Sequence, residues 1–205
     1  LTPVEEAAAA IRAGGLAVFP TDTVYGLACT AYREEPVDRL SEVKGRSRDQ
    51  PVAIVAASVD WTLECVPELR GRAALLARAL LPAALTLVLP NPARRFPWLT
   101  GSRPNTIGIR VPVLEGPGRQ LLELVGAVAA TSANLHGGRD PAQLDDVPEA
   151  IRSQAAVVDG GVLAGTPSTV VDVTESTPRI LREGAVPAAE VLARIETALA
   201  VRAAQ

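Results

Sequence analysis

An α/β architecture, with helices packed over a mixed β-sheet in one domain across residues 1–205, is predicted by three features of this sequence. Short runs rich in Val, Leu, Ile and Ala alternate with segments whose apolar residues recur every three or four positions. Gly and Pro mark nearly every boundary between them. The composition is that of a globular chain, with 48% hydrophobic and 21% charged residues, so enough apolar surface exists to build a core. Strands alternating with helices place the helices on the faces of the sheet.

The elements follow in chain order. Thr2 and Pro3 suit an N-cap and first helical position, and Gly14-Gly15 ends that helix. The apolar run 16–19 reads as a buried strand stopped by Pro20, and 20–26 reads as the turn after it. Residues 36–44 place Val37, Leu40 and Val43 on one helical face, with Gly45 as the stop. Strand 52–57, helix 68–80 and strand 85–89 come next. The stretch 73–89 is the most membrane-like, but Arg78 and Pro82 interrupt it and it falls short of about 20 residues. Strand 106–111, helix 117–125 and strand 128–130 follow, then a short helix near 148–154. Strands at 157–159, 168–173 and 179–182 precede an alanine-rich amphipathic helix at 188–204. No internal repeat, low-complexity tract or linker breaks the chain.

Composition also removes function classes. Aromatics are 3% of residues, which leaves the core to Ala, Val, Leu and Ile and offers few platforms for stacking bases. The net charge of −3 argues against a general basic surface for nucleic-acid phosphates, though a local basic pocket remains open. Cys29 and Cys65 lie far apart, and with the single His136 they cannot supply a structural zinc site. Their number excludes a disulfide framework, and a reducing compartment is expected. No charged-then-apolar signal segment opens the chain, which starts at Leu1 and lacks Met, so the native start is expected elsewhere.

No GxxxxGK[ST] loop, strand-borne GxGxxG or GxSxG elbow is present, and His136, in a Gly-flanked loop, reads as exposed rather than catalytic. What recurs instead is cations and hydroxyls at strand ends. Lys44-Gly45-Arg46-Ser47-Arg48 packs three cations into five residues; it is either a solvated turn favouring a helix C-terminus or a phosphate clamp. Pro20-Thr21-Asp22-Thr23-Val24-Tyr25-Gly26 and Thr131-Ser132-Ala133-Asn134 each follow a buried strand and could bond local backbone or a ligand. Arg110 ends an apolar strand and therefore needs an anion, either an internal carboxylate or a ligand.

Taken in order, the PTDTVYGL, KGR, PWLTG, TIGIRVP, TSAN, PSTVVD and ILREGA segments resemble the YrdC-type threonylcarbamoyl-AMP synthases, in their short single-domain form. The resemblance is strongest over residues 15–186. It implies a twisted α/β sheet flanked by helices with a large concave pocket. It also implies a reaction joining L-threonine, bicarbonate or CO2, and ATP into threonylcarbamoyl-adenylate and pyrophosphate, with Mg²⁺ accompanying ATP. Residue by residue, it places Lys44, Arg46, Ser132 and Asn134 in the catalytic centre. Gln50, Thr106, Asp140 and Arg182 join Lys44, Arg46 and Ser132 around ATP, and Thr23, Tyr25, Arg110, Ala130 and Ser168 surround L-threonine. No protein side chain is assigned to a metal. The implied setting is cytoplasmic, linked to the tRNA threonylcarbamoyl-transferase machinery, with little stable nucleic-acid binding and no membrane.

The residue inventory suits that chemistry, because both nucleophiles would belong to substrates and the protein would need mainly alignment and charge stabilisation. Departures from the family pattern fall at Ser47, Val55, Ala83 and Glu183, and Val55 replaces a histidine that some members use toward threonine. The additional C-terminal domain of longer members is not expected. Two rival functions share the fold: a non-catalytic RNA-binding module, which would hold tRNA without ATP, and a carbamoyl-transfer domain of hydrogenase maturation, which normally accompanies zinc modules.

Overall fold

The computed structural model describes residues 1–203; the predicted end of the last helix at Ala204 lies outside them. Helix α1 (Pro3–Ala13) starts with the expected cap, Thr2 and Glu5 bonding each other's backbone N–H, and ends at Gly14 with φ of 91°. Strands β1 (Leu16–Pro20) and β2 (Tyr25–Cys29) form a hairpin, so both ends of the predicted turn, Pro20 and Tyr25-Gly26, are in fact strand. Helix α2 (Glu34–Lys44) stops at Gly45, whose φ of 65° is left-handed. Strand β3 (Ala53–Ala56), helix α3 (Val59–Cys65) and helix α4 (Gly71–Leu80) follow, and α3 is an element the sequence reading did not contain.

Strands β4 (Leu85–Pro90) and β5 (Thr106–Arg110) flank a loop with a single 3-10 turn at Pro97–Leu99. Helix α5 (Gly116–Val125), strand β6 (Ala127–Ser132), the short helix α6 (Glu149–Arg152) and strands β7 (Ala155–Val157), β8 (Thr169–Asp172) and β9 (Arg179–Arg182) lead to helix α7 (Ala188–Ala203). The nine strands make one sheet in the order β7-β1-β2-β6-β3-β5-β4-β8-β9. Pairs β1–β7, β3–β5 and β4–β8 are parallel and the other five antiparallel, which is the predicted mixed sheet.

Strand side chains alternate between the two faces, and here the alternation decides where a ligand can go. On one face, Leu16, Val18, Leu27, Ile54, Leu85, Leu87, Leu89, Ile107 and Ile109 are buried beneath α2, α4 and α7, which contribute Val37, Leu40, Leu76, Leu80, Val191 and Ile195. On the other, α1 and α5 bury a smaller cluster of Ala7, Ile11, Ala17, Phe19, Ala28, Leu121, Leu122 and Val128. Gly118 allows α5 to settle against the end of β1, since a Cβ there would lie 2.2 Å from the Pro20 carbonyl oxygen. Further along that second face, residues of β3, β4, β5 and β8 line a cavity instead of a helix.

Candidate functional site

The cavity has a volume of about 280 Å³, near the lower end of the roughly 300–1,000 Å³ typical of small-molecule sites. Its floor is made by the residues that alternation turns toward it: Ala53 and Val55 of β3, Thr86 and Val88 of β4, Thr106, Gly108 and Arg110 of β5, and Ala130 and Ser132 of β6. Its lining carries four guanidinium groups, from Arg46, Arg103, Arg110 and Arg182, and no carboxylate. Such a concavity favours an anion with several charges.

Along β5, Thr106 and Arg110 are four residues apart, which separates the two ends of the cavity by about 13 Å. At one end Arg110, only 9% exposed, donates through Nη2 to Thr23 Oγ1 at 2.7 Å and pairs with Asp22. Asp22 in turn accepts from the Val113 N–H at 3.0 Å. Burial works against the Arg110 charge, Asp22 supports it, and nearby Arg182 opposes it. The Nε of Arg110 is buried and has no partner. Both sequence alternatives for Arg110 therefore meet at one residue: an internal carboxylate balances it, and the residue also lines the cavity.

At the other end Arg46 lines the cavity, with Nη1 donating to Thr131 Oγ1 at 3.2 Å and Nη2 to the Pro51 carbonyl at 2.6 Å. Its Nε is also buried and unpartnered, and burial works against its charge. The loop before β5 is fastened to the same segment, the Val52 N–H donating to the Leu99 carbonyl and the Ser102 N–H to that of Asp49. That loop brings Arg103 into the lining, held at 2.8 Å by the buried Asp172. Asp172 also pairs with Arg179 at 3.3 Å and accepts from Thr174. Burial raises its carboxyl, but the Thr174 bonds and Arg103 outweigh that and hold it at about 2.

Of the predicted site residues, Arg46, Thr106, Arg110, Ala130, Ser132, Ser168 and Arg182 come together in this one lining. Thr23 stands directly behind it, fully buried, as a hydrogen-bond partner of Arg110. Lys44 is also behind the wall. It is 4% exposed, and its ammonium spends its three protons on the carbonyls of Ser132 and Asn134, both at 2.5 Å, and on Asn134 Oδ1 at 3.0 Å. Burial, then Arg46, lowers its pKa to about 8. Asn134 Oδ1 accepts from Ser132 Oγ at 2.6 Å as well, so Lys44 and Asn134 form a brace that orients Ser132. Gln50, Asn134 and Asp140 lie outside the lining.

Tyr25 requires a correction. It is fully buried on the opposite face of the sheet, within the larger core, and forms no part of the cavity wall. Its hydroxyl donates to Asp159 Oδ1 or the Gly161 carbonyl, each 2.9 Å away, and accepts from the Gly160 N–H. Alternation explains the difference, because Gly26, the next residue, is the one β2 turns toward the cavity. His136 is exposed, as its loop composition suggested.

The sequence reading missed Thr86, Arg103 and the Asp22 counter-charge. Thr86 had a signal, a hydroxyl at the alternate position of an otherwise apolar strand. Arg103 had none, since a loop has no period to read. Among the described residues, no group of three or more His, Cys, Asp or Glu side chains could hold a metal ion.

Comparison with known proteins fits this geometry. The family model for Sua5, YciO and YrdC, described as telomere recombination, matches residues 9–184. A Pyrococcus abyssi protein named threonylcarbamoyl-AMP synthase is 38% identical over 188 residues, covering 90% of this chain and 55% of the relative. A Pseudomonas fluorescens protein of the same name is 35% identical over 176 residues, covering 82% of this chain and 91% of the relative. The chain thus spans about half the length of the archaeal relative and nearly all of the bacterial one. The crystal structure of P. abyssi Sua5 complexed with L-threonine superposes with a TM-score of 0.84 at 37% identity, over 94% of this chain and 57% of that one. With a match across most of its length and the same sheet underneath, the chain belongs to the Sua5/YciO/YrdC family.

Proposed function

We propose that this protein is an L-threonylcarbamoyladenylate synthase, which condenses L-threonine, bicarbonate or CO2, and ATP and releases pyrophosphate. The observation that carries the reading is a cavity lined by four arginines and several hydroxyls but by no carboxylate, histidine or thiol. The threonine amine adds to CO2, forming a C–N bond and losing a proton to solvent. An oxygen of the resulting carbamate then attacks the α-phosphorus of ATP, and the bond to the β-phosphate breaks to release pyrophosphate. Both nucleophiles come from substrates, so the protein has to align them and stabilise phosphoryl charge.

The residues divide along β5. Arg110, braced by Thr23 and Asp22, turns its guanidinium to the threonine carboxylate, with Ser168 and the backbone at Ala130 beside it. Arg46, Thr106 and Ser132 face the polyphosphate from the other end, and Arg182, bonded to Ser168 on the Arg110 side, reaches the nucleotide from the C-terminal hairpin. Lys44 and Asn134 orient Ser132 from behind, and Gln50 and Asp140 are proposed to approach the nucleotide from outside the lining. Mg²⁺ would arrive with ATP and neutralise phosphate oxygens, as this ion usually binds through substrate phosphates. Among the described residues no helix is long and apolar enough to cross a membrane. We place this activity in the cytoplasm, feeding threonylcarbamoyl transfer to tRNA adenosine.

Incubation with radiolabelled bicarbonate, ATP and L-threonine is expected to put label into an adenylate that is absent when threonine is withheld. Label confined to unreacted bicarbonate would overturn the assignment.

A further inference from the structure

Strand β4 reads Leu85-Thr86-Leu87-Val88-Leu89. Its leucines are fully buried in the larger core, while Thr86 and Val88 face the cavity. Valine has nearly the shape of threonine and fits a strand equally well, so strand formation does not account for a hydroxyl at residue 86.

The surroundings do account for it. Strand β4 pairs Val88 with Gly108 and Leu87 with Ile109, so the next step in register sets Thr86 opposite Arg110. On the other side Thr86 pairs with Val170 of β8. There Thr86 Oγ1 lies 2.9 Å from Ser168 Oγ. Ser168 is only 3% exposed, and Arg182 fixes it, donating through Nη2 to its carbonyl at 2.7 Å and to its Oγ at 3.3 Å. Thr86 thus sits between the cation that would take a carboxylate and a serine pinned by a second cation.

The proton count of this trio is informative. Two hydroxyls bring two protons, and one is spent in the bond between them. Arg182 fills an acceptor position on Ser168 and can accept nothing. Whichever hydroxyl donates to the other, one O–H remains, either on Thr86 opposite Arg110 or on Ser168 beside Arg182.

We infer that Thr86 is a positioning residue for the amino-acid substrate. By holding Ser168 Oγ, it makes the pair present one O–H donor to the substrate carboxylate that Arg110 binds. The inference rests on the synthase reading above and deepens it at the threonine end. Charge from Arg110 sets the strength of that contact, and the hydroxyl pair fixes which way the carboxylate is turned.

The test compares Thr86→Val, Thr86→Ser, Ser168→Ala and the Thr86→Val/Ser168→Ala double variant by steady-state pyrophosphate release, with melting temperatures alongside. Loss of one neutral hydrogen bond should raise threonine KM about 5-fold in Thr86→Val, with ATP KM and melting temperature close to wild type. Thr86→Ser should restore threonine KM to within about 2-fold, and the double variant should be no worse than Ser168→Ala alone. Unchanged threonine KM in Thr86→Val, failure of Thr86→Ser to rescue, or independent effects of the two substitutions would overturn the role of Thr86 while leaving the synthase reading intact. A wild-type protein without threonine-dependent release would overturn both.

Discussion

Arg110 joins two demands in one guanidinium, balancing Asp22 inside the protein and lining the cavity outside it. Removing it altogether leaves the largely covered Asp22 without its cation, a loss of up to about 3 kcal/mol, so an alanine variant reports folding more than function. Arg110→Lys separates the two demands. It keeps the positive charge but loses the planar fork. Threonine KM in this variant is expected to rise by about 10-fold or more, while ATP affinity, measured by titration, stays near wild type. An unchanged threonine KM would remove Arg110 from the substrate site. The two neighbouring arginines of the basic run make a second comparison. Arg46 lines the cavity with a buried, unpartnered Nε, whereas the side chain of Arg48 is 62% exposed and pairs with Asp38. Arg46→Ala is expected to slow pyrophosphate release about 30-fold, corresponding to a loss of roughly 2 kcal/mol of stabilisation of developing charge. Arg48→Ala should change it less than about 2-fold. Equal damage from both would misplace the clamp.

Several elements were legible because their period and punctuation agree. The α1 boundaries follow from Thr2, Pro3 and Gly14, and the inward face of β5 from the alternation of Ile107 and Ile109 with Thr106, Gly108 and Arg110. Strand β2 was hidden because Tyr25–Cys29 contains a glycine and follows turn-forming residues, so only its pairing with β1 and β6 makes it a strand. Helix α3 has seven residues, too few to display a helical period, and is set by the Ser58 cap and packing against β3. The face chosen by Tyr25 depends on that hidden strand, which is why its placement went wrong while those of Arg110 and Ser132 agreed with the cavity. Asp172 is a joint between elements, tying β8 to the loop before β5 through Arg103 and to β9 through Arg179. Its carboxyl sits at about 2 against an ordinary 3.8, so the stability it contributes is present above about pH 4 and is lost as pH falls toward 2. The gap in unfolding free energy between wild type and Asp172→Asn should shrink by about 2 kcal/mol from pH 5 to pH 2. A gap that does not vary with pH would mean that Asp172 carries no folding-linked proton.

The molecule as a whole divides its sheet between folding and chemistry. One face is fully committed to the core under α2, α4 and α7, and half of the other is covered by α1 and α5. The remaining half stays open because β3, β4, β5 and β8 turn small, hydroxyl-bearing and cationic residues toward it. That division gives a chain with a net charge of −3 a cavity suited to the anionic substrates of the proposed reaction, since its local field is set by four arginines, and the carboxylates that pair with two of them, Asp22 and Asp172, lie outside the lining. It also explains how the chain could activate threonine without a nucleophile of its own. The most direct measurement is pyrophosphate release with ATP, Mg²⁺, L-threonine and bicarbonate supplied together and then with each omitted in turn. Release is expected only when all four are present. Equal release without L-threonine would describe a plain ATP-hydrolysing enzyme and contradict the account.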